Sequence, residues 1–122
     1  LRNAVRTDLS KTRKEKERAG IKAFIQYVYE KPQTYSIIWG SLSVDPQSFH
    51  DYYTSFNSTY SKALGRDEEQ IKNDVDMNTL AYILMGITNF LGLKMIFEGD
   101  MTEEKLEKVI DDVMVLLECG VF

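Results

Sequence analysis

Cysteine, histidine, proline and glycine are all scarce in this chain of 122 residues. One cysteine, Cys119, excludes an internal disulfide and favours a reducing, cytoplasmic setting. One histidine, His50, excludes a multi-histidine metal site. No nucleophile–base pair can be named beside it, so a surface or pocket-edge role is favoured over a catalytic one. The scattered glycines form no phosphate-cradling loop. The acidic pairs Glu103-Glu104 and Asp111-Asp112 have no partner with metal-ligand spacing. No catalytic residue, metal site or cofactor is expected, and the chain does not read as an enzyme. There is no signal-peptide pattern, and the start at Leu1 rather than Met leads us to expect a missing natural N-terminus.

Hydrophobic content of 43% and charged content of 28% fit a single soluble domain with a sizeable core. The net charge of −4 is unevenly spread. Residues 1–18 hold seven basic side chains against three acidic ones, so an excess of four positive charges leaves the rest of the chain with an excess of eight negative ones. Such an acidic body does not bind nucleic acid by itself. The basic run reads either as a solvated helix face or as the approach to a segment that precedes it.

The longest apolar stretch is LAYILMGITNFLGLKMIF, residues 80–97. On a helical wheel Leu80, Leu84, Ile87 and Leu91 fall on one side, and Met85, Asn89, Gly92 and Ile96 nearly opposite. Ile83, Phe90 and Phe97 fill a third sector. A helix apolar all round must be covered all round. Asn89 and Lys94 inside the run, and the lack of a basic flank, argue against a bilayer. One face is therefore expected to close an internal core or cavity and another to meet a second subunit.

The other segments are helical too. Residues 1–18 carry Leu1, Val5 and Leu9 at a spacing of four and read as a connector. Residues 18–31 form a better helix with Phe24, Tyr27 and Val28 on one face, ended by Pro32. A short helix follows through Tyr35 and Trp39, loosened at Gly40 and Ser41. Asp45 and Pro46 start the next, with Phe49, Tyr52, Tyr53, Phe56, Tyr60 and Leu64 in one sector and Gly65 at its end. Residues 67–76 read as a loop. Thr102 caps the last helix, whose stripe is Leu106, Val109, Ile110, Val113, Leu116 and Leu117, and Gly120 stops it. No segment alternates like a strand, so the class is all-α with about six helices, residues 1–18 as connector and 19–122 as the body.

Two surpluses carry the functional reading. The first is aromatic: Phe24, Tyr27, Tyr35, Trp39, Tyr52, Tyr53, Phe56 and Tyr60. A buried tyrosine hydroxyl needs a partner, and several together suit an apolar pocket with a few polar handles, to which Met85 and Asn89 would add. A solid core with hydroxyls at its rim is the alternative. The second surplus is apolar area on the last two helices. Pairing Leu80, Leu84, Ile87, Leu91, Leu106, Ile110, Val113 and Leu117 with their symmetry mates would make a four-helix bundle.

In this order AFIQYVYEKPQTYSIIW (residues 23–39), VDPQSFHDYYTSFNSTYSKAL (44–64), LMGITNFLGLKMIF (84–97) and a final helix ending LLECGVF (116–122) resemble the C-terminal domain of TetR/AcrR-family transcriptional regulators. The resemblance implies an N-terminal helix-turn-helix domain, absent from this chain, that binds operator DNA as a homodimer. It also implies dimerisation through the last two helices and a small hydrophobic or aromatic effector held in the interior, near Trp39. Effector binding would then shift the population towards a state in which residues 1–18 hold the DNA-reading domains at the wrong separation. A helical dimerisation or adaptor module without a ligand remains the competing reading.

Overall fold

The computed structural model describes residues 11–122, which form five α-helices and one short 3-10 turn, with no strand among them. The helical spacing expected for Leu1, Val5 and Leu9 lies outside the described residues. Helix α1 is Arg13–Glu30, α2 Pro32–Val44, α3 Pro46–Arg66, α4 Met77–Glu98 and α5 Glu103–Gly120, with the 3-10 turn at Glu68–Gln70.

Local chemistry sets most of the ends. Thr12 opens α1 with a capping box, its side chain accepting from the Glu15 N–H while Glu15 reaches back. The expected junction at residue 18 therefore falls inside one continuous helix, and no break separates connector from body among the described residues. Pro32 ends α1 and stands at the start of α2. The expected loosening at Gly40 and Ser41 does not occur, because glycine tolerates helical geometry and nothing there forces a turn. The helix runs on to Val44 and yields where Asp45 precedes Pro46. Asp45 and Asp76 cap α3 and α4, accepting from the N–H groups of Ser48 and Thr79. Helix α3 passes through Gly65 to Arg66, whereas Gly99, at φ 84°, closes α4 in the left-handed region.

Helix α1 lies against both α4 and α5, α3 packs on α4, and α2 rests mainly on α3. One core joins Ile21 and Ile25 of α1 to Leu64 of α3, Leu80, Leu84 and Met95 of α4, and Leu106, Ile110 and Leu117 of α5. Tyr29 clamps the α4–α5 turn, donating to the Gly99 carbonyl at 2.8 Å and accepting from the Met101 N–H at 3.1 Å. The loop after α3 is tied to the C-terminus by the Lys72 N–H on the Val121 carbonyl at 2.7 Å and the Asn73 amide on the Gly120 carbonyl at 2.6 Å.

The basic face of α1 is engaged. Arg18 pairs with Glu107 at 2.6 Å and Asp111 at 2.7 Å, Lys22 pairs with Glu103 and Glu107 at 2.6 Å each, and Lys14 pairs with Glu118. These hydrogen bonds push the Arg18 and Lys22 pKa values up and hold Glu107 below the usual carboxylate range. Lys14 and Arg18 of the basic run, with Lys22 beyond it, thus hold α1 on the acidic side of α5.

The expected pairing stripe on the last two helices is turned inward. Leu80, Leu84, Leu106, Ile110, Val113 and Leu117 are buried in the chain's own core, and Ile87 and Leu91 are half-buried against it. The apolar residues left outside are a different set: Ile83, Phe90 and Phe97 on α4, and Val115 and Leu116 on α5. The cause is α1, which covers the inner sides of both helices and takes the place assigned to a symmetry mate. Helix α4 alone among the described residues is long and apolar enough to cross a membrane, and its inner side is the middle of this bundle.

Candidate functional site

A cleft runs between α1, α2, α3 and α4. Helix α1 contributes Arg13, Lys16, Glu17, Gly20, Ile21, Phe24 and Tyr27; α2 adds Tyr35 and Ile38; α3 adds Tyr52, Tyr53, Phe56 and Tyr60; and α4 adds Met85, Thr88 and Asn89. The α1 positions follow one helical face and span roughly 20 Å at about 1.5 Å per residue. The cleft is narrow, with a cavity volume of about 50 Å³, room for a few water molecules rather than for a drug-sized compound.

Nine of the ten residues expected to line a ligand site border this cleft: Phe24, Tyr27, Tyr35, Tyr52, Tyr53, Phe56, Tyr60, Met85 and Asn89. Trp39 does not. Its ring lies one layer out, 6.3 Å from Tyr35, 5.5 Å from Phe49 and 6.2 Å from Tyr53 between centroids, and it is 41% exposed. The aromatic wall continues as edge-on pairs, Phe24 with Tyr35 and Phe56 with Tyr60, each at 6.1 Å.

The polar groups of the cleft fall into two sets. In the first, the Tyr35 hydroxyl donates to Asn89 Oδ1 at 2.9 Å, and Asn89 Nδ2 donates to the Met85 carbonyl at 2.8 Å. Burial pushes the Tyr35 hydroxyl pKa up, and burial beside Tyr35 and Tyr52 does the same to Tyr53. Both phenols stay protonated, and that of Tyr35 serves as a hydrogen-bond donor.

The second set was not foreseen. Arg13, Lys16 and Glu17 are all buried. Arg13 stands 3.6 Å from Glu17 and 3.7 Å from Asp67, and Lys16 Nζ bonds Asp67 Oδ2 at 3.2 Å. Tyr60 donates to Glu17 Oε1. Burial raises the Glu17 pKa, against the lowering by Tyr60 and Arg13; burial and the neighbouring carboxylate push Tyr60 well up. The available sequence signal was periodicity: counting back from Ile21 and Phe24 by helical turns brings Glu17 and Arg13 to the same face.

His50 sits on the exposed side of α3, its Nδ1 3.3 Å from Asp51, away from the cleft. Cys119 is exposed, because the inward face of α5 passes through Leu117 rather than through it. Among the described residues no group of three or more His, Cys, Asp or Glu side chains is arranged to hold a metal. No protein-family model and no curated protein matches this chain.

Proposed function

We propose that this chain is the effector-sensing and dimerisation domain of a TetR-like transcriptional regulator, working in the cytoplasm. The observation that carries the reading is the cleft, in which three helices and the central α4 bring twelve aromatic and polar residues around one space. An aromatic lining with a few fixed polar groups is how small-molecule sites are built. Entry is a matter of moving α2. Only Tyr35 of that helix is buried, while Ile37, Leu42 and Val44 stand exposed, so α2 can swing without dismantling the core. A small hydrophobic or aromatic effector then widens the cleft and shifts the population towards the open arrangement. Helix α1, which lines the cleft, carries that movement towards residues 1–10 and to DNA-reading domains joined there.

Dimerisation completes the reading. Ile83, Phe90 and Phe97 recur every seven residues on the outer side of α4, with Gly86 and Leu93 between them. This is the a/d pattern of a helix that packs against another. With Val115 and Leu116 of α5 they provide the surface for a second copy, and the four helices then form the dimer bundle.

Calorimetric titration with naphthalene-sized aromatic compounds, alongside Trp39 emission, tests the effector site. Saturable binding of one compound per chain with a shift in emission is expected, because the Trp39 ring packs at a steep angle against Tyr35 and Tyr53 of the cleft wall. Absence of binding across such a panel removes the sensor. The second reading, a helical dimerisation or adaptor module without a ligand, is favoured by the cavity volume of about 50 Å³.

A further inference from the structure

Taking the cleft as a ligand site, the inventory of donors and acceptors at its Arg13 end narrows the ligand's chemistry. Arg13 is 1% exposed, and its Nε is buried without a hydrogen-bond partner. Its two carboxylate neighbours stand at 3.6 and 3.7 Å, beyond hydrogen-bond length. Lys16 has three ammonium protons and places one on Asp67. The acceptors of the cleft lining are better served; the other orphaned atom, Asn57 Oδ1, belongs to a residue outside that lining. Glu17 Oε1 takes the Tyr60 hydroxyl and Asp67 Oδ2 takes Lys16. Thr88 is committed to the Leu84 carbonyl at 2.8 Å, and Asn89 to Tyr35 and Met85. The surplus is therefore of cationic donors, and a buried guanidinium N–H left unpaired calls for an acceptor. The planar fork of a guanidinium matches a carboxylate in particular.

We propose that this end of the cleft receives a carboxylate, so that the ligand is an apolar acid whose head lies on Arg13 and Lys16 and whose body lies along Phe24, Tyr27 and Phe56. The charge count agrees. Arg13 and Lys16 face Glu17 and Asp67, and burial already opposes the charge on Glu17, so one added anion balances the cations. The row of α1 residues, roughly 20 Å long, sets head and tail in a fixed order.

Three compounds with one body and three heads decide the matter: 4-phenylbutyrate, 4-phenylbutanamide and 4-phenylbutylamine, titrated by calorimetry into the intact chain at pH 7.5. The acid is expected to bind about tenfold or more tightly than the amide, and the amine least. Arg13→Lys, which keeps the charge and removes Nε, is expected to reduce the acid's advantage over the amide severalfold. Where Arg13→Lys fails to fold, as read by circular dichroism, Lys16→Met serves as the second variant with the same expectation. Equal binding of acid and amide overturns the carboxylate site and leaves the cleft as a ligand site. Preference for the amine overturns it too, and assigns the polar end to Glu17 and Asp67. Binding of none of the three removes both the carboxylate site and the cleft reading on which it rests.

Discussion

The Tyr35 hydroxyl reaches across the cleft to Asn89 Oδ1 at 2.9 Å, and Tyr35 is the one buried residue of α2. That bond ties the outermost helix to the central one. Tyr35→Phe keeps the ring and leaves the Asn89 oxygen without its partner, a loss of about 1–2 kcal/mol. Urea unfolding is expected to show this decrease. Amide exchange is expected to show more, with the α2 protons accelerated well beyond those of α4. Uniform acceleration over all helices would mean that α2 has no freedom of its own.

Glu17 gives the chain an unusual pH dependence. Burial raises its carboxyl above the ordinary value of 4.5, so the folded state keeps a proton that the unfolded state has released. Across that window the native state binds more protons, and stability falls as pH rises from about 4.5 through the raised pKa. The exposed carboxylates Asp45, Asp51, Asp100 and Glu107 are shifted the other way, and their contribution is lost as pH falls through their lowered pKa values. Glu17→Gln isolates the buried group. The difference in urea midpoint between wild type and variant is expected to move in the variant's favour with rising pH and then level off. A difference independent of pH would show that Glu17 ionises normally in the fold.

The sequence made the helices legible because their punctuation is local. Pro32, Asp45 with Pro46, Asp76, Gly99 and Thr102 each act within one turn. It also made the aromatic residues legible as a set, since tyrosine at helical spacing marks one face whatever that face meets. Which sector of an all-apolar helix faces which neighbour was not legible. On α4 the choice between the Leu80–Leu84 sector and the Ile83–Phe90 sector depends on where α1 lies, and α1 is distant in sequence. Arg13 and Glu17 were hidden for a related reason. Burial of charge is unfavourable by local rules, and only the combination of Thr12 capping, Tyr60 and Asp67 makes it tolerable.

Gly92 of α4 faces Phe24 and Val28 of α1. A Cβ placed there meets the Phe24 and Val28 side chains at 3.5 Å, an ordinary contact distance, and Gly92 takes no positive φ. Gly92→Ala therefore fills space without strain and removes backbone freedom from the unfolded chain. A gain of roughly 0.5–1 kcal/mol is expected in urea unfolding. A loss instead would mean that α1 packs closer to α4 than the present geometry, for example around a bound effector.

The two apolar sectors of α4 separate association from folding. Leu84 is 1% exposed and Leu117 6%, whereas Phe90 is 74% and Leu116 73% exposed. A glutamate at Leu84 or Leu117 sets an unpaired charge in the core, at a cost of several kcal/mol that a marginally stable domain does not survive. Leu84→Glu and Leu117→Glu are expected to lose helical circular dichroism. Phe90→Glu and Leu116→Glu place the same charge on the surface of the monomer. They are expected to keep the circular dichroism signal and to halve the mass seen by light scattering. The pairing of results is what matters. A mass unchanged by Phe90→Glu in a dimeric wild type would move the interface off α4, whereas a monomeric wild type would leave the seven-residue stripe of Ile83, Phe90 and Phe97 to some other partner. Retention of fold in Leu84→Glu would contradict the packing of the shared core around α4, in which Leu84 is buried.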